Sequence, residues 1–345
     1  MSSLLLPSHL EEILARGQRL REAGYRGRFA PSPTGPLHRG NLRTALLSWL
    51  EARWQDGEWL LRLDDLDVPR NRPGAEGAIQ ADLLWLGLNW DGQPLRQSDN
   101  RGIYATLLSA LRRAGHLYPC RCSRRLLADI SAPHGGLTVY PGLCRQRQPQ
   151  WGWQQGRLPS WRLRLPPGPL HWQEQFCELG QLDGATEVGD VVLRRADGVV
   201  AYHLATALDE LIHGITDVVR GDDLWSSTGP QVAVMALLRL PPPRYAHLPL
   251  WRSAGGQRLS KREGTEGLAA YRERGMDAAA VVGELAASLA LVPAGSRLSA
   301  GELLAELKPA NLAAAIQTAR VRMNPRLQEM QPPQKQMKAQ MKKSK

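Results

Sequence analysis

Between Leu10 and Ala23 aliphatic and charged side chains alternate at helical spacing, which predicts an amphipathic lead-in helix within an N-terminal extension, residues 1–24. Gly27 to Ala30 then reads as a short strand, the prolines and Gly35 of Pro31-Ser-Pro-Thr-Gly-Pro-Leu-His38-Arg-Gly40-Asn41 force a turn, and Leu42 to Trp54 is apolar with a helical period. A buried-strand pattern follows in Glu58-Trp-Leu-Leu-Arg-Leu63, then helical patterns over Gly74 to Leu86 and Ile103 to Ala114. This strand-helix alternation over residues 25–115 predicts an α/β fold, a Rossmann-type doubly wound parallel sheet. From His116 to about Gly180 proline, arginine and tryptophan become dense and helical periodicity fades, the mark of an insertion over 116–180.

The sheet pattern resumes over 181–266. Val188 to Arg195 and Gly198 to Tyr202 read as a hairpin-like pair, Asp217 to Gly221 as a strand, Gln231 to Leu240 as a helix and His247 to Trp251 as a strand. Gly267 to Leu291 and Leu298 to Gln317 read as the helices of a small closing domain, 267–324, and the Gln-, Lys- and Met-rich residues 325–345 as a disordered basic tail.

Composition narrows the class. A 345-residue chain with 43% hydrophobic and 22% charged residues can bury a full core. The net charge is +11, but the last fifteen residues hold five lysines and no acid, so the body is only moderately basic. That balance suits a polyanion such as RNA. No apolar run reaches membrane-spanning length and Met1 to Gly24 lacks a signal-peptide core, so a cytoplasmic protein without a membrane partner is expected.

Candidate chemistry sits at four places. A tight strand-to-helix loop aims backbone N–H groups and the positive end of the helix dipole at a phosphate. In that loop His38 can donate to a phosphate oxygen, and Gly40 lets a base or ribose approach. Asp64-Asp65-Leu66-Asp67 puts carboxylates at the end of a strand, where ligands of α/β sheets bind; the same acids would serve equally as a helix cap. Arg220 ends a further strand. Leu259-Ser260-Lys261-Arg262, between glycines, puts a lysine where it can close on a triphosphate.

Cys120-Arg-Cys122 and Tyr140-Pro-Gly-Leu-Cys144 bring three thiols close in sequence. A tetrahedral Zn²⁺ site needs one more ligand, for which His116, His134 and Tyr140 are all in reach and histidine is the default. Cys177, beside Phe176, reads as a core thiol. The insertion also carries eight arginines between Arg121 and Arg164, with Trp151, Trp153 and Trp161 among them, a pattern that fits RNA backbone contacts and base stacking or a core beneath a charged surface.

The opening loop and the Leu-Ser-Lys-Arg loop together resemble the HIGH and KMSKS signatures of class I aminoacyl-tRNA synthetases. Arg28-Phe-Ala-Pro-Ser-Pro-Thr-Gly, Trp85-Leu-Gly-Leu-Asn-Trp, Tyr202-His-Leu-Ala and Val219-Arg220-Gly are similar to the glutamate-specific branch, over about Arg26 to Gly264. The Cys-x-Cys and Tyr-x-x-x-Cys pairs resemble the zinc site of the glutamyl-Q tRNA(Asp) synthetase family, a truncated paralogue. The short stretch from Lys261 to Lys345 is consistent with it. The resemblance implies ATP-dependent, tRNA-independent activation of L-glutamate and its transfer to the queuosine at the wobble position of tRNA(Asp), by a monomer using Mg²⁺ and Zn²⁺.

It implies His38, Gly40, Asn41 and Lys261 as catalytic residues, and Leu259 and Ser260 with His38, Gly40 and Lys261 as ATP contacts. Arg28 and Arg220 become the cations for two carboxylates, Ser32 and Tyr202 hydrogen-bonding groups, and Asp64 the partner of the ammonium. Tyr140 becomes the fourth zinc ligand beside Cys120, Cys122 and Cys144. Three positions depart from the family pattern: Asp64 stands for the usual glutamate, one methylene short; Asn89 stands where aspartate is common; and Arg39 replaces an apolar residue, making the helix entry more basic. A shortened glutamyl-tRNA synthetase acylating the 3′ end of tRNA(Glu) and a catalytically silent RNA-binding paralogue are the competing expectations.

Overall fold

The computed structural model describes residues 4–123, 125–127, 139–154, 156–175, 177–249 and 267–307. In chain order the elements of the first half are α1 (Ser8–Ala23), β1 (Arg26–Phe29), α2 (Arg39–Trp54), β2 (Glu58–Leu63), α3 (Ala75–Trp85), β3 (Leu95–Arg96), α4 (Arg101–Arg113), β4 (Leu117–Cys120) and β5 (Ser160–Leu163). There follow β6 (Pro169–Glu174), β7 (Cys177–Asp183), β8 (Val192–Arg194), α5 (Tyr202–Ile212), β9 (Asp217–Gly221), α6 (Trp225–Leu237), β10 (Arg244–Leu248), α7 (Leu268–Glu273), α8 (Ala278–Ser288) and α9 (Ala300–Glu306).

β1, β2 and β3 pair in parallel, with Arg28 opposite Leu60. β9 runs alongside β1 in the same direction: the Thr216 amide donates to the Arg26 carbonyl at 2.9 Å, and the Arg28 guanidinium to the Val219 carbonyl at 3.3 Å. Beyond β9 lie β10 and β6, both parallel, and β7 as an antiparallel edge. The chain therefore leaves the β1–β9 seam in opposite directions, and a cleft opens at the C-terminal ends of the two strands, the switch point where ligands of doubly wound sheets bind. β4, β5 and β8 form a separate antiparallel sheet.

The insertion expected over 116–180 thus lends β6 to the catalytic sheet. Trp172, which made this stretch look unlike a sheet, is a buried core residue packed edge-on to Trp225 (5.1 Å) and Tyr245 (6.5 Å). The expected hairpin shrinks to β8 and one bridge, Arg194 to Val200, around a turn at Gly198. The strand expected from His247 to Trp251 lies earlier, ending at Leu248, because Pro249 has no N–H for the ladder. The single helix expected over Gly267 to Leu291 is two. Gly275, at φ 70°, breaks it, and Asp277 restarts it by accepting the Ala280 amide at 2.9 Å.

These C-terminal helices share one core with the sheet: Leu268, Tyr271, Val281, Leu285 and Leu303 pack with Leu46, Trp49 and Leu61. The helical pattern from Leu298 is described as far as Leu307, and the segment expected to be a disordered tail lies outside the described residues. The Cys177 side chain also lies outside them. No helix among the described residues is long and apolar enough to cross a membrane.

Candidate active site

His38 is the N-cap of α2. Its Nδ1 accepts the Asn41 amide at 3.3 Å while the Asn41 Oδ1 accepts the His38 amide at 3.3 Å, a reciprocal cap. With Nδ1 occupied as an acceptor, a neutral His38 carries its hydrogen on Nε2 as a donor. Packing around the ring lowers its pKa below the ordinary imidazole value, which favours that neutral form. Asn41, expected to be catalytic, lines the cleft with its carboxamide turned back onto this cap.

Gly40 has a structural reason beyond ligand access, since a Cβ there would stand 3.2 Å from the His38 ring. The loop is pinned by the Asp64 amide donating to the Pro31 carbonyl (3.0 Å) and the Arg72 amide to the Pro33 carbonyl (2.9 Å). Arg39, expected to make the helix entry more basic, instead pairs with Glu284 and the Tyr271 hydroxyl, so its charge is neutralised against the C-terminal helices.

Behind this loop the cleft holds a cavity of about 220 Å³. Its walls bring together Arg28, His38, Gly40, Asn41, Asp64, Tyr202 and Arg220, residues spread over almost two hundred positions of chain. Ser32 stands apart. It is exposed and lines a smaller adjoining hollow, which shares Asp64 and Tyr202 with the cavity. Leu259, Ser260 and Lys261 lie outside the described residues. The described residues flanking their segment are both at the site, for Pro249 lines the cavity and Gly267 bridges to His38.

The floor is a chain of alternating charges. Arg28, buried, donates from Nε to Glu210 Oε1 at 2.9 Å. Arg62 donates to Asp64 at 2.8 Å and lies 3.4 Å from Glu210 and 3.7 Å from Asp209. Burial works against the Arg62 charge, but Asp64, Glu210 and Asp209 outweigh it and hold its pKa above the ordinary guanidinium value. Burial raises the Asp64 carboxyl above its usual range despite Arg62. Asp64, expected to face a ligand's ammonium, therefore lines the cavity with one oxygen already held by Arg62.

Asp209 is pushed up to about 7 by burial, although it accepts from the Tyr104 hydroxyl (2.7 Å) and the Gln97 amide (2.8 Å). Burial opposes the Glu210 charge too, yet Arg28 and Arg62 prevail and keep it below the usual carboxyl range. Glu210, Asp209 and Arg62 were not among the residues singled out in the sequence. Arg43 was not either; it lines the cavity from α2, donates to the Pro249 carbonyl, and burial lowers its pKa to about 10. The available signal was the same for all four, a charge at a position where the local period demands an apolar residue.

Away from this cleft, at the end of β4, the sulfurs of Cys120, Cys122 and Cys144 lie within 4.8 Å of one another. The Tyr140 hydroxyl joins them, 3.4 Å from the Cys120 sulfur and 3.6 Å from that of Cys122. It also accepts the Cys144 amide at 2.9 Å, which fixes the oxygen's place. Among the described residues no histidine shares the cluster, and His134 lies outside them. Burial pushes Cys122 up to about 11 and raises Tyr140 above the usual phenol range, while hydrogen bonding led by Tyr140 outweighs burial and lowers Cys144. Three soft sulfurs and one oxygen around a common centre form a donor set that fits a four-coordinate Zn²⁺.

The sequence matches the family model of class I tRNA synthetases (E and Q), catalytic domain, over residues 25–288. It is 56% identical over 306 residues to a glutamyl-Q tRNA(Asp) synthetase of Prochlorococcus marinus (strain MIT 9313), covering 89% of this chain and 95% of the relative. A relative of the same name from Parasynechococcus marenigrum (strain WH8102) is 57% identical over 303 residues, 88% of this chain and 96% of its own. Among solved structures, a glutamate tRNA ligase from Elizabethkingia meningosepticum in complex with its amino acid superposes with a TM-score of 0.69 at 27% identity. That match covers 84% of this chain and 65% of the ligase, so the chain spans about two thirds of the ligase's length. The chain belongs to the class I tRNA synthetases of the E and Q group, and within them to the glutamyl-Q tRNA(Asp) synthetase family.

Proposed function

We propose that this protein activates L-glutamate with ATP in the absence of tRNA and transfers the glutamyl group to the queuosine base at the wobble position of tRNA(Asp). The observation that carries the amino-acid choice is the pair of buried arginines, Arg28 from β1 and Arg220 from β9, on the walls of one cavity that Asp64, at the end of β2, also lines. Glutamate has two carboxylates and one ammonium, and two cations with one anion complement it. Tyr202 and Ser32 supply hydrogen bonds at the side of the pocket. The names and high identity of the relatives support the tRNA(Asp) acceptor.

A substrate carboxylate oxygen attacks the α-phosphorus of ATP, a P–O bond forms, and pyrophosphate departs with the electrons of the broken P–O bond. The His38 Nε2–H, the amides that open α2 and the Lys261 ammonium stabilise the charge that builds on the transferring group. Mg²⁺ accompanying ATP would supply charge neutralisation for the departing pyrophosphate. Cys120, Cys122, Cys144 and Tyr140 would hold a Zn²⁺ ion, whose part would be structural, tying the end of β4 to the Tyr140–Cys144 segment.

Incubation with glutamate, ATP and labelled pyrophosphate, without tRNA, is expected to yield labelled ATP. Labelled glutamate should then map to the anticodon loop of tRNA(Asp), and removal of the 3′-terminal adenosine should leave labelling intact. Strict dependence on tRNA, or label at the 3′ end, would replace this proposal by that of a shortened glutamyl-tRNA synthetase. Lys261→Ala is expected to slow pyrophosphate exchange by about 10²-fold, as removal of one transition-state donor does.

A further inference from the structure

Arg220 is held on three sides. Its Nε donates to His247 Nε2 at 3.0 Å, Nη1 to the Gln231 Oε1 at 2.8 Å, and Nη2 to the Thr228 hydroxyl oxygen at 2.6 Å. All four residues are buried. A guanidinium keeps its hydrogens under all conditions a protein meets, so the His247 Nε2 must present its lone pair and the imidazole must carry its hydrogen on Nδ1. That Nδ1 is 2.7 Å from Glu174 Oε2, and the other oxygen of Glu174 accepts the His247 amide at 3.0 Å. A carboxylate, an imidazole in one defined tautomer and a guanidinium thus run in line from β6 through β10 to β9.

The line is clamped by aromatic rings. The Tyr245 ring stacks on His247 at 5.7 Å and 10° and lies 4.7 Å under the Arg220 guanidinium, while Trp225 meets His247 edge-on at 5.0 Å. A buried polar chain of this kind is costly unless its members are paired, and here carboxylate, imidazole and guanidinium each meet a partner. Of the five N–H groups of Arg220, three are spent on these partners. One hydrogen on each terminal nitrogen is left for the cavity that Arg220 lines.

We infer that Glu174 and His247 are positioning residues for substrate selection: the carboxylate fixes the His247 tautomer, His247 fixes the plane of Arg220, and Arg220 meets a glutamate carboxylate with its two remaining hydrogens in place. The inference rests on the proposal that Arg220 binds glutamate. Neither residue touches the substrate, so both act through binding and leave the chemical step alone.

The test is glutamate- and ATP-dependent pyrophosphate exchange by the full chain. His247→Ala should raise the KM for glutamate by about 10-fold or more and the near-isosteric Glu174→Gln by about 5-fold, the sizes expected when a hydrogen bond to a charged group is lost. In both, kcat should stay within about 2-fold and the KM for ATP should not move, a split that general loss of stability does not produce. In parallel, ¹⁵N spectra of histidine-labelled wild-type protein should show a buried Nδ1–H tautomer among the eight histidines, and Glu174→Gln should shift or abolish that signal. A folded His247→Ala with an unchanged glutamate KM overturns the inference. So does a wild-type spectrum in which no histidine is an Nδ1–H tautomer, whether or not the variants fold. Absence of exchange in the wild type overturns the glutamate-activation proposal, and the tautomer result then still decides on the Glu174–His247–Arg220 geometry.

Discussion

The cavity floor and the cysteine cluster are both buried and both polar, yet they are organised in opposite ways. In the floor, Arg28 and Arg62 alternate with Asp64, Asp209 and Glu210, and Arg220 beside them donates to the neutral acceptors His247, Gln231 and Thr228. Such a network is placed by the fold before any substrate arrives, although both terminal nitrogens of Arg62 and the Oε2 of Glu210 have no hydrogen-bond partner among the described residues. In the cluster, three sulfurs and a phenol, all donors of one chemical kind, face each other within a few ångströms, and the Arg162 guanidinium lies 3.7 Å over the Tyr140 ring. Burial lifts Cys122 to about 11 and raises Tyr140, so these donors stay protonated until a cation replaces their hydrogens. The floor carries its organisation in the fold, whereas the cluster would take it from a cation.

The largest effect should therefore come from metal removal. The purified protein is expected to contain about one zinc per chain, and a chelator or Cys144→Ser should cost several kcal/mol, read as a large drop in Tm, because binding free energy at a structural site is folding free energy. A protein free of metal whose Tm ignores chelators would place the cluster on the same footing as the floor. The next largest concerns a cut in the floor. Arg28→Ala leaves Glu210 buried with Arg62 alone, at a cost of about 3–5 kcal/mol in urea denaturation, and abolishes glutamate-dependent exchange. Adding Glu210→Gln should recover part of the stability and none of the activity; full recovery of both would dissolve the distinction between network and ligand.

The smallest effect has opposite signs in the two regions. Asp209 titrates at about 7 in the fold because of burial, so between its ordinary carboxyl range and pH 7 the native state keeps a proton that the unfolded chain releases. Its contribution to stability falls as pH rises across that window and is flat above it. Glu51, raised to about 7 by burial beside Asp217, acts in the same sense. His203 and His213, lowered to about 4 by burial, act in the opposite sense up to the ordinary imidazole range, so the Asp209 part is read as the difference between Glu51→Gln and Glu51→Gln with Asp209→Asn in urea denaturation from pH 5 to 8. In the metal cluster protons compete with the ion, so stability there should fall as pH falls.

Much of this was written in local patterns. The strand, proline turn and helix around His38 follow from a change of period within thirty residues, and the structure keeps them. What was hidden depends on the sheet closing. Glu210 meets Arg28 across 182 positions, and Glu174 meets His247 across 73, in segments whose local pattern says only helix or strand. Arg39 misled because its side chain is drawn to Glu284, far along the chain, and away from the loop it follows. The fourth member of the thiol cluster was open among three candidates by spacing; the hydroxyl bonded to the Cys144 amide distinguishes Tyr140.

Residues 8–23 attracted no chemical interest in the sequence, but they back the helix that carries Tyr202 and Glu210. Gly17 lies so close to the Leu211 carbonyl that a Cβ would collide with it, and Arg21 donates to the Glu210 and Pro241 carbonyls. Leu10 and Leu14 anchor the same surface. Deletion of residues 8–23 is thus expected to lower amino-acid affinity by loosening the helix that presents Tyr202 and Glu210 to the cleft.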